Sequence, residues 1–159
     1  MKRKYIISLA LFGLLFIIIG CGGGGVEGGS EEAPAEATIT ITPPSGSYVG
    51  GDETTTVGAF VHKFTIVVKD ANGIPLRNVD LTIFYPFAVP GSNVVQFYDG
   101  DPSQGAPAQD SPMTVTTDGN GSYTLFMVFL ANGNQEYSAD LQVNSGAVYG
   151  SATFEVTVE

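Results

Sequence analysis

From Thr38 onward, apolar and polar residues alternate with a period of two, the spacing of strands that bury one face. Ile39 and Ile41 alternate with threonines and stop at Pro43-Pro44. Phe60, Phe64, Ile66 and Val68 fall on one face of a longer strand that ends at Asp70-Ala71-Asn72-Gly73, where Asn-Gly favours a tight turn with positive φ. Val79, Leu81, Ile83 and Tyr85 alternate with Asn78, Asp80, Thr82 and Phe84, and Pro86 and Pro90 close that strand. Val94 to Tyr98 and Met113 to Thr117 predict shorter strands, and Asp118-Gly119-Asn120-Gly121 predicts a second turn. Ser122 to Leu130 is apolar on both faces, as in a central strand covered on both sides, although periodicity alone also allows a short buried helix there. Tyr137, Ala139, Leu141 and Val143, then Ala152, Phe154, Val156 and Val158, give the last two alternations. Helical three-four spacing is missing throughout this part. The pattern predicts an all-β fold, an antiparallel β-sandwich of seven or eight strands over residues 38–159.

The first 37 residues follow other rules. Met1-Lys2-Arg3-Lys4 is a basic start, Tyr5 to Ile19 is an apolar run of 15 residues, and Gly20 precedes Cys21, the only cysteine. This is the layout of a secretory signal peptide. It resembles the lipobox of bacterial lipoproteins, and that resemblance implies cleavage between Gly20 and Cys21 and lipidation of the Cys21 thiol. A retained membrane span is the alternative, but it needs about 20 apolar residues. Residues 22–37, GGGGVEGGSEEAPAEA, are too poor in large apolar side chains to build a core and read as a tether. As a flexible coil, sixteen residues span about 20–24 Å. Gly22 after the cysteine resembles the pattern of lipoproteins that are not retained at the inner membrane, which implies the outer membrane; in a Gram-positive cell the anchor would be the single cell membrane.

Charge narrows the partners. Cleavage removes Lys2, Arg3 and Lys4 and leaves three basic residues, Lys63, Lys69 and Arg77, against all 16 acidic ones, a formal charge of −13. Nucleic acid needs clustered Lys and Arg, so it is excluded as a partner. Anionic headgroups repel such a chain, so membrane attachment has to come from the lipid. With Cys21 lipidated the folded part has no disulfide, and its stability must come from burial.

The segment Phe64-Thr65-Ile66-Val67-Val68-Lys69-Asp70-Ala71-Asn72-Gly73-Ile74-Pro75-Leu76-Arg77-Asn78-Val79-Asp80-Leu81-Thr82-Ile83 resembles the opening of bacterial immunoglobulin-like domains of the invasin/intimin type: a strand, D-x-x-G-x-P, then V-x-V-x-F. Thr117-Asp118-Gly119-Asn120-Gly121-Ser122-Tyr123-Thr124 resembles the family's later T-D-x-x-G turn, and Tyr137-Ser138-Ala139 and Ser151 to Val158 fit its last two strands. The likeness covers about residues 60–158. Phe87 to Pro112, long, proline-rich and acidic, departs from it. The resemblance implies an immunoglobulin-like sandwich and a spacer, adhesion or interaction module with an envelope or surface protein as partner.

Little in the sequence supports catalysis, and the expectation is a non-enzyme. His62 is the only histidine and shares a strand face with Phe60 and Phe64, a structural placement. No G-x-S-x-G elbow presents a serine, and zinc would need several His or Cys ligands. One polar cluster stands out: Asp99, Asp101, Ser103 and Asp110 occupy positions one, three, five and twelve of a calcium-loop spacing, although Gln104 replaces the turn glycine. The expectation is that no cofactor is required, with calcium as the candidate ion. A second candidate is an aromatic partner surface of Phe87, Phe97 and Tyr98, with Phe84 on the face of Asp80 and Thr82. Asp70 and Asp118 read as turn formers. The function expected is thus a lipid-anchored interaction, adhesion or spacer module. The alternatives are a calcium-stabilised carbohydrate or small-ligand binder, or an accessory subunit of a surface assembly.

Overall fold

The alternating segments pair into two five-stranded sheets in the computed structural model, which describes residues 30–51, 61–85, 95–130 and 136–158. The strands are β1 (Thr38–Thr42), β2 (Ser45–Gly50), β3 (Val61–Lys69), β4 (Asp80–Phe84), β5 (Val95–Tyr98), β6 (Ala108–Gln109), β7 (Met113–Thr116), β8 (Ser122–Phe129), β9 (Tyr137–Ser145) and β10 (Val148–Val158). One sheet runs β1-β3-β8-β5-β6 and the other β2-β10-β9-β4-β7. This is an all-β, immunoglobulin-like sandwich. Its described part holds ten strands against the seven or eight expected, and one pairing, β2 with β10, is parallel.

The alternation places its apolar members between the sheets. Phe64, Ile66 and Val68 of β3 and Leu125, Met127 and Phe129 of β8 face Leu81 and Ile83 of β4, Leu141 and Val143 of β9, and Phe154 and Val156 of β10, all essentially inaccessible to solvent. Burying each such side chain contributes about 1.5–3 kcal/mol, which is how a disulfide-free sandwich holds. The two-faced run at 122–130 is a central strand: β3 and β5 flank it, and Val128 packs outward with Tyr98 and Leu130 while Phe129 packs inward.

Pairing registers sort the connections into two poles. Lys69 lies opposite Thr38, Ser122 opposite Val67, and Val148 opposite Ser145, so the turns after β3, before β8 and between β9 and β10 share one pole. Val61 opposite Val128, Val95 opposite Phe129, and the bridge from Gly51 to Leu130 mark the other.

Two D-x-N-G turns build the first pole. Asp70 Oδ1 accepts from the amides of Asn72 and Ile74, both at 2.8 Å, and Asp118 Oδ1 accepts from those of Asn120 and Ser122, both at 2.9 Å. Gly73 and Gly121 supply φ of 81° and 69°. The two turns interlock, because the Val68 amide donates to the Gly121 carbonyl at 2.9 Å. The expected role of both aspartates as turn formers holds. The turn after β3 opens a crossover to the second sheet, where β4 lies, so it closes no hairpin.

The folded part starts earlier than the boundary expected at Thr38. Glu31 donates to the Asn78 carbonyl at 3.0 Å and accepts from the Asp80 amide at 2.9 Å, forming a parallel bridge with Val79. The Ala33 amide donates to Ser145 Oγ at 2.8 Å, and Ala33 and Ala37 are buried. Residues 31–37 are thus docked on the first pole, and the stretch available as a tether ends before Glu31. Composition hid this, because the docking uses backbone groups and two alanines.

Candidate functional site

Cys21, Gly20 and Phe87 lie outside the described residues, as does Phe60. The other candidates of the long segment are accounted for individually. Asp99 follows β5, is exposed, and accepts a hydrogen bond from the Tyr123 hydroxyl at 2.8 Å. Burial, reinforced by this carboxylate, holds the Tyr123 phenol well above its ordinary pKa. Asp101 caps a single 3-10 turn, Pro102–Gln104. Its Oδ1 accepts from the Ser103 amide at 2.9 Å and from Ser103 Oγ at 2.7 Å. The hydroxyl and amide of Ser103 hold the Asp101 carboxyl below the usual carboxylate range. Gly105, at φ 86°, ends the turn. Asp110 is exposed beyond β6, and its charge acts on the half-buried Tyr85 phenol, raising its pKa as a contribution secondary to burial.

The calcium-loop spacing does not become a ligand set. Asp101 and Ser103 are bonded to each other, and Asp99 serves Tyr123. Among the described residues no three His, Cys, Asp or Glu side chains come together in a group able to hold a metal ion. An EF-hand loop converges because its backbone wraps around one point; here a capped 3-10 turn and a two-residue strand run the chain past that point.

The aromatic surface needs correction as well. Phe97 is 1% exposed and belongs to the core, with its ring 5.6 Å from that of Tyr85. Tyr98 is 6% exposed and packs on the outer face of its sheet with Val128, Leu130, Val61 and Phe126, its hydroxyl donating to Gln96 Oε1 at 2.9 Å. Both rings are covered because β5 is a full member of the first sheet, paired to β8 on one side and β6 on the other. The described part of the segment, residues 95–112, therefore contains core, and its exposed residues fall within 99–112. Phe84 does lie on the outer face expected for it, half-buried. The exposed large apolar side chains of the described residues are Ile74 and Tyr149, neither of which the strand pattern marks.

His62 sits where its strand face predicts, between the sheets. Its ring lies 4.4 Å from that of Tyr48, edge-on, and 5.1 Å from that of Phe129. Nε2 is buried without a hydrogen-bond partner among the described residues, and the ring bonds to the Val49 backbone. Desolvation lowers its pKa, so the imidazole is neutral at pH 7. A nucleophile–base pair needs a hydroxyl or thiol within hydrogen-bond reach of the base. Among the described residues, the rings packed against this imidazole are those of Tyr48 and Phe129. Tyr48, the hub that also meets Phe64 and Phe129, escaped sequence reasoning because its strand is written Ser-Gly-Ser-Tyr-Val-Gly.

No protein-family model and no curated protein matches this chain. Among solved structures it is similar to domains 1–6 of the surface layer protein SbsC, at 14% identity over 77% of this chain and 13% of that one, with a TM-score of 0.48. It is also similar to the D00-D0 domain of intimin, at 14% identity over 85% of this chain and 51% of that one, with a TM-score of 0.43. A PapD-like domain of human CEP192 is similar at 11% identity over 80% and 89% of the two chains, with a TM-score of 0.41. The chain thus spans about an eighth of the first of these structures and half of the second.

Proposed function

We propose that this chain is a non-catalytic module of the bacterial envelope, anchored by lipid on Cys21, whose immunoglobulin-like domain binds or spaces a second envelope protein. The observation that supports the non-catalytic part is the environment of His62: among the described residues, the rings packed against the one imidazole in the chain are those of Tyr48 and Phe129. The leader and Cys21 supply the address, and the strongly acidic remainder leaves the lipid as the membrane attachment.

Since β5 is core, the described part of the long segment that offers an exposed surface to a partner is residues 99–112. Removing all of Phe87 to Pro112 would therefore cost the fold along with any partner. A photo-crosslinking residue at the exposed Gln104, in native envelope, is the appropriate probe. A discrete adduct of defined mass is the expected result, and its absence rejects this surface. The address is checked separately. Cys21→Ser is expected to leave an uncleaved precursor that takes up no labelled fatty acid, and a processed, acylated product from that variant rejects the lipoprotein reading.

A further inference from the structure

Resting on the reading that Cys21 carries lipid, we propose that residues 31–37 are a strap that decides which end of the sandwich meets the lipid surface. The pole built from the turns at 70–75, 117–121 and 145–148 faces the membrane, with Ile74 and Tyr149 reaching its interfacial layer. The opposite pole, where Gly51, Val61, Val95 and Leu130 lie, is presented outward.

Chain length carries the first part. From Cys21 to Thr38 there are seventeen peptide steps, which could stretch to about 60 Å. That leash would let either pole, or either flank, lie on the membrane, since the nine residues of β3 span only about 30 Å. Docking Glu31 cuts the leash to ten steps, at most about 35 Å. The cut leash also leaves the fold at a defined place, beside Asn78, Val79 and Ser145 on the first pole. The far pole then reaches the lipid only by complete overturning on a fully stretched tether.

Surface chemistry agrees independently. Ile74 is 60% exposed in the turn after β3, and Tyr149 is 73% exposed one residue past the start of β10. Both of the exposed large apolar side chains among the described residues therefore sit at the pole from which the leash leaves. Tyrosine, with its amphipathic ring, is enriched at membrane–water interfaces. Glu31, Glu32, Glu36 and Asp118 are exposed at the same pole, with Lys69 and Arg77, so the surface suited to it is zwitterionic.

The chain contains no tryptophan, so one introduced ring reports alone. The full-length lipidated protein would be placed in phosphatidylcholine vesicles carrying a headgroup spin label, as Tyr149→Trp and as Glu136→Trp, an exposed far-pole position just before β9, where Tyr137 lies opposite Val156. Quenching several-fold stronger in Tyr149→Trp is expected, and equal quenching in both overturns the pole assignment. Vesicle flotation reads the anchor separately: flotation without quenching overturns the pole assignment alone, and no flotation overturns the lipid reading and this proposal with it. Adding Ala33→Pro, which deletes the amide that Ser145 accepts, is expected to erase most of the difference between the poles. An undiminished difference overturns the strap as the orienting element.

Discussion

At the residue scale, two glycines with the same backbone need separate different surroundings. Gly73 and Gly121 both adopt left-handed φ, but a Cβ on Gly73 meets nothing within 4 Å, whereas one on Gly121 would sit 2.7 Å from both the Leu76 nitrogen and the Pro75 Cβ. Gly73→Ala is expected to cost about 1–2 kcal/mol from conformation alone. Gly121→Ala should cost clearly more, and equal shifts in denaturant midpoint would contradict the interlocked turns. His62 gives the molecule a pH dependence of known sign. Burial holds its folded-state pKa below the ordinary imidazole value of about 6.5, so the unfolded chain binds the proton more readily. The neutral ring's contribution to stability is present above about 6.5 and is lost as pH falls from there through the lower folded value. Wild type should therefore lose more in Tm than His62→Phe between pH 7.5 and pH 5, a comparison in which the common carboxylate effects cancel. Parallel losses would show that the imidazole is not the titrating group.

At the element scale, what was legible follows from side-chain contrast. β3, β4 and β9 announce themselves because large inner residues alternate with outer ones that are mostly polar or β-branched, and β8 because its run is apolar on both faces. β2 was invisible: Ser-Gly-Ser-Tyr-Val-Gly has too few apolar positions to alternate, and it becomes a strand only because β10 offers a partner over six registered pairs. β6 escaped for the same reason, as two exposed residues pairing to β5. The candidate site was legible only as composition. Acidic spacing in the segment 99–110 suggested ligands, but whether carboxylates converge depends on local backbone, and Pro102 and Gly105 bend it into a capped turn. Calcium at millimolar concentration is accordingly expected to leave the melting temperature where chelator leaves it, and a shift of several degrees would restore the ligand reading. The docked strap had no signal at all, since Glu31 contributes only its backbone and Ala33 only an amide and a methyl.

At the scale of the whole molecule, the sandwich is closed along one side by a single crossing of the chain. β1 belongs to one sheet and β2 to the other, so Pro43-Pro44 carries the chain over that edge. β2 covers β10 from Thr153 to Val158, and β1 lies against its earlier half. Gly150 permits this approach, since a Cβ there would stand 2.7 Å from the Ile39 carbonyl oxygen. Exposed strand edges are templates for pairing between molecules. Proteins confined to a surface meet one another far more often than in bulk, and with edges in parallel orientation. Were the proposed lipid on Cys21 to confine this chain to a membrane, the approach that Gly150 permits would shield the longest strand from neighbouring copies, while the opposite edges, β6 and β7, are short. Gly150→Val is expected to prise β1 from β10 and produce concentration-dependent oligomers in sedimentation velocity; a strictly monomeric, fully folded variant would deny it that role.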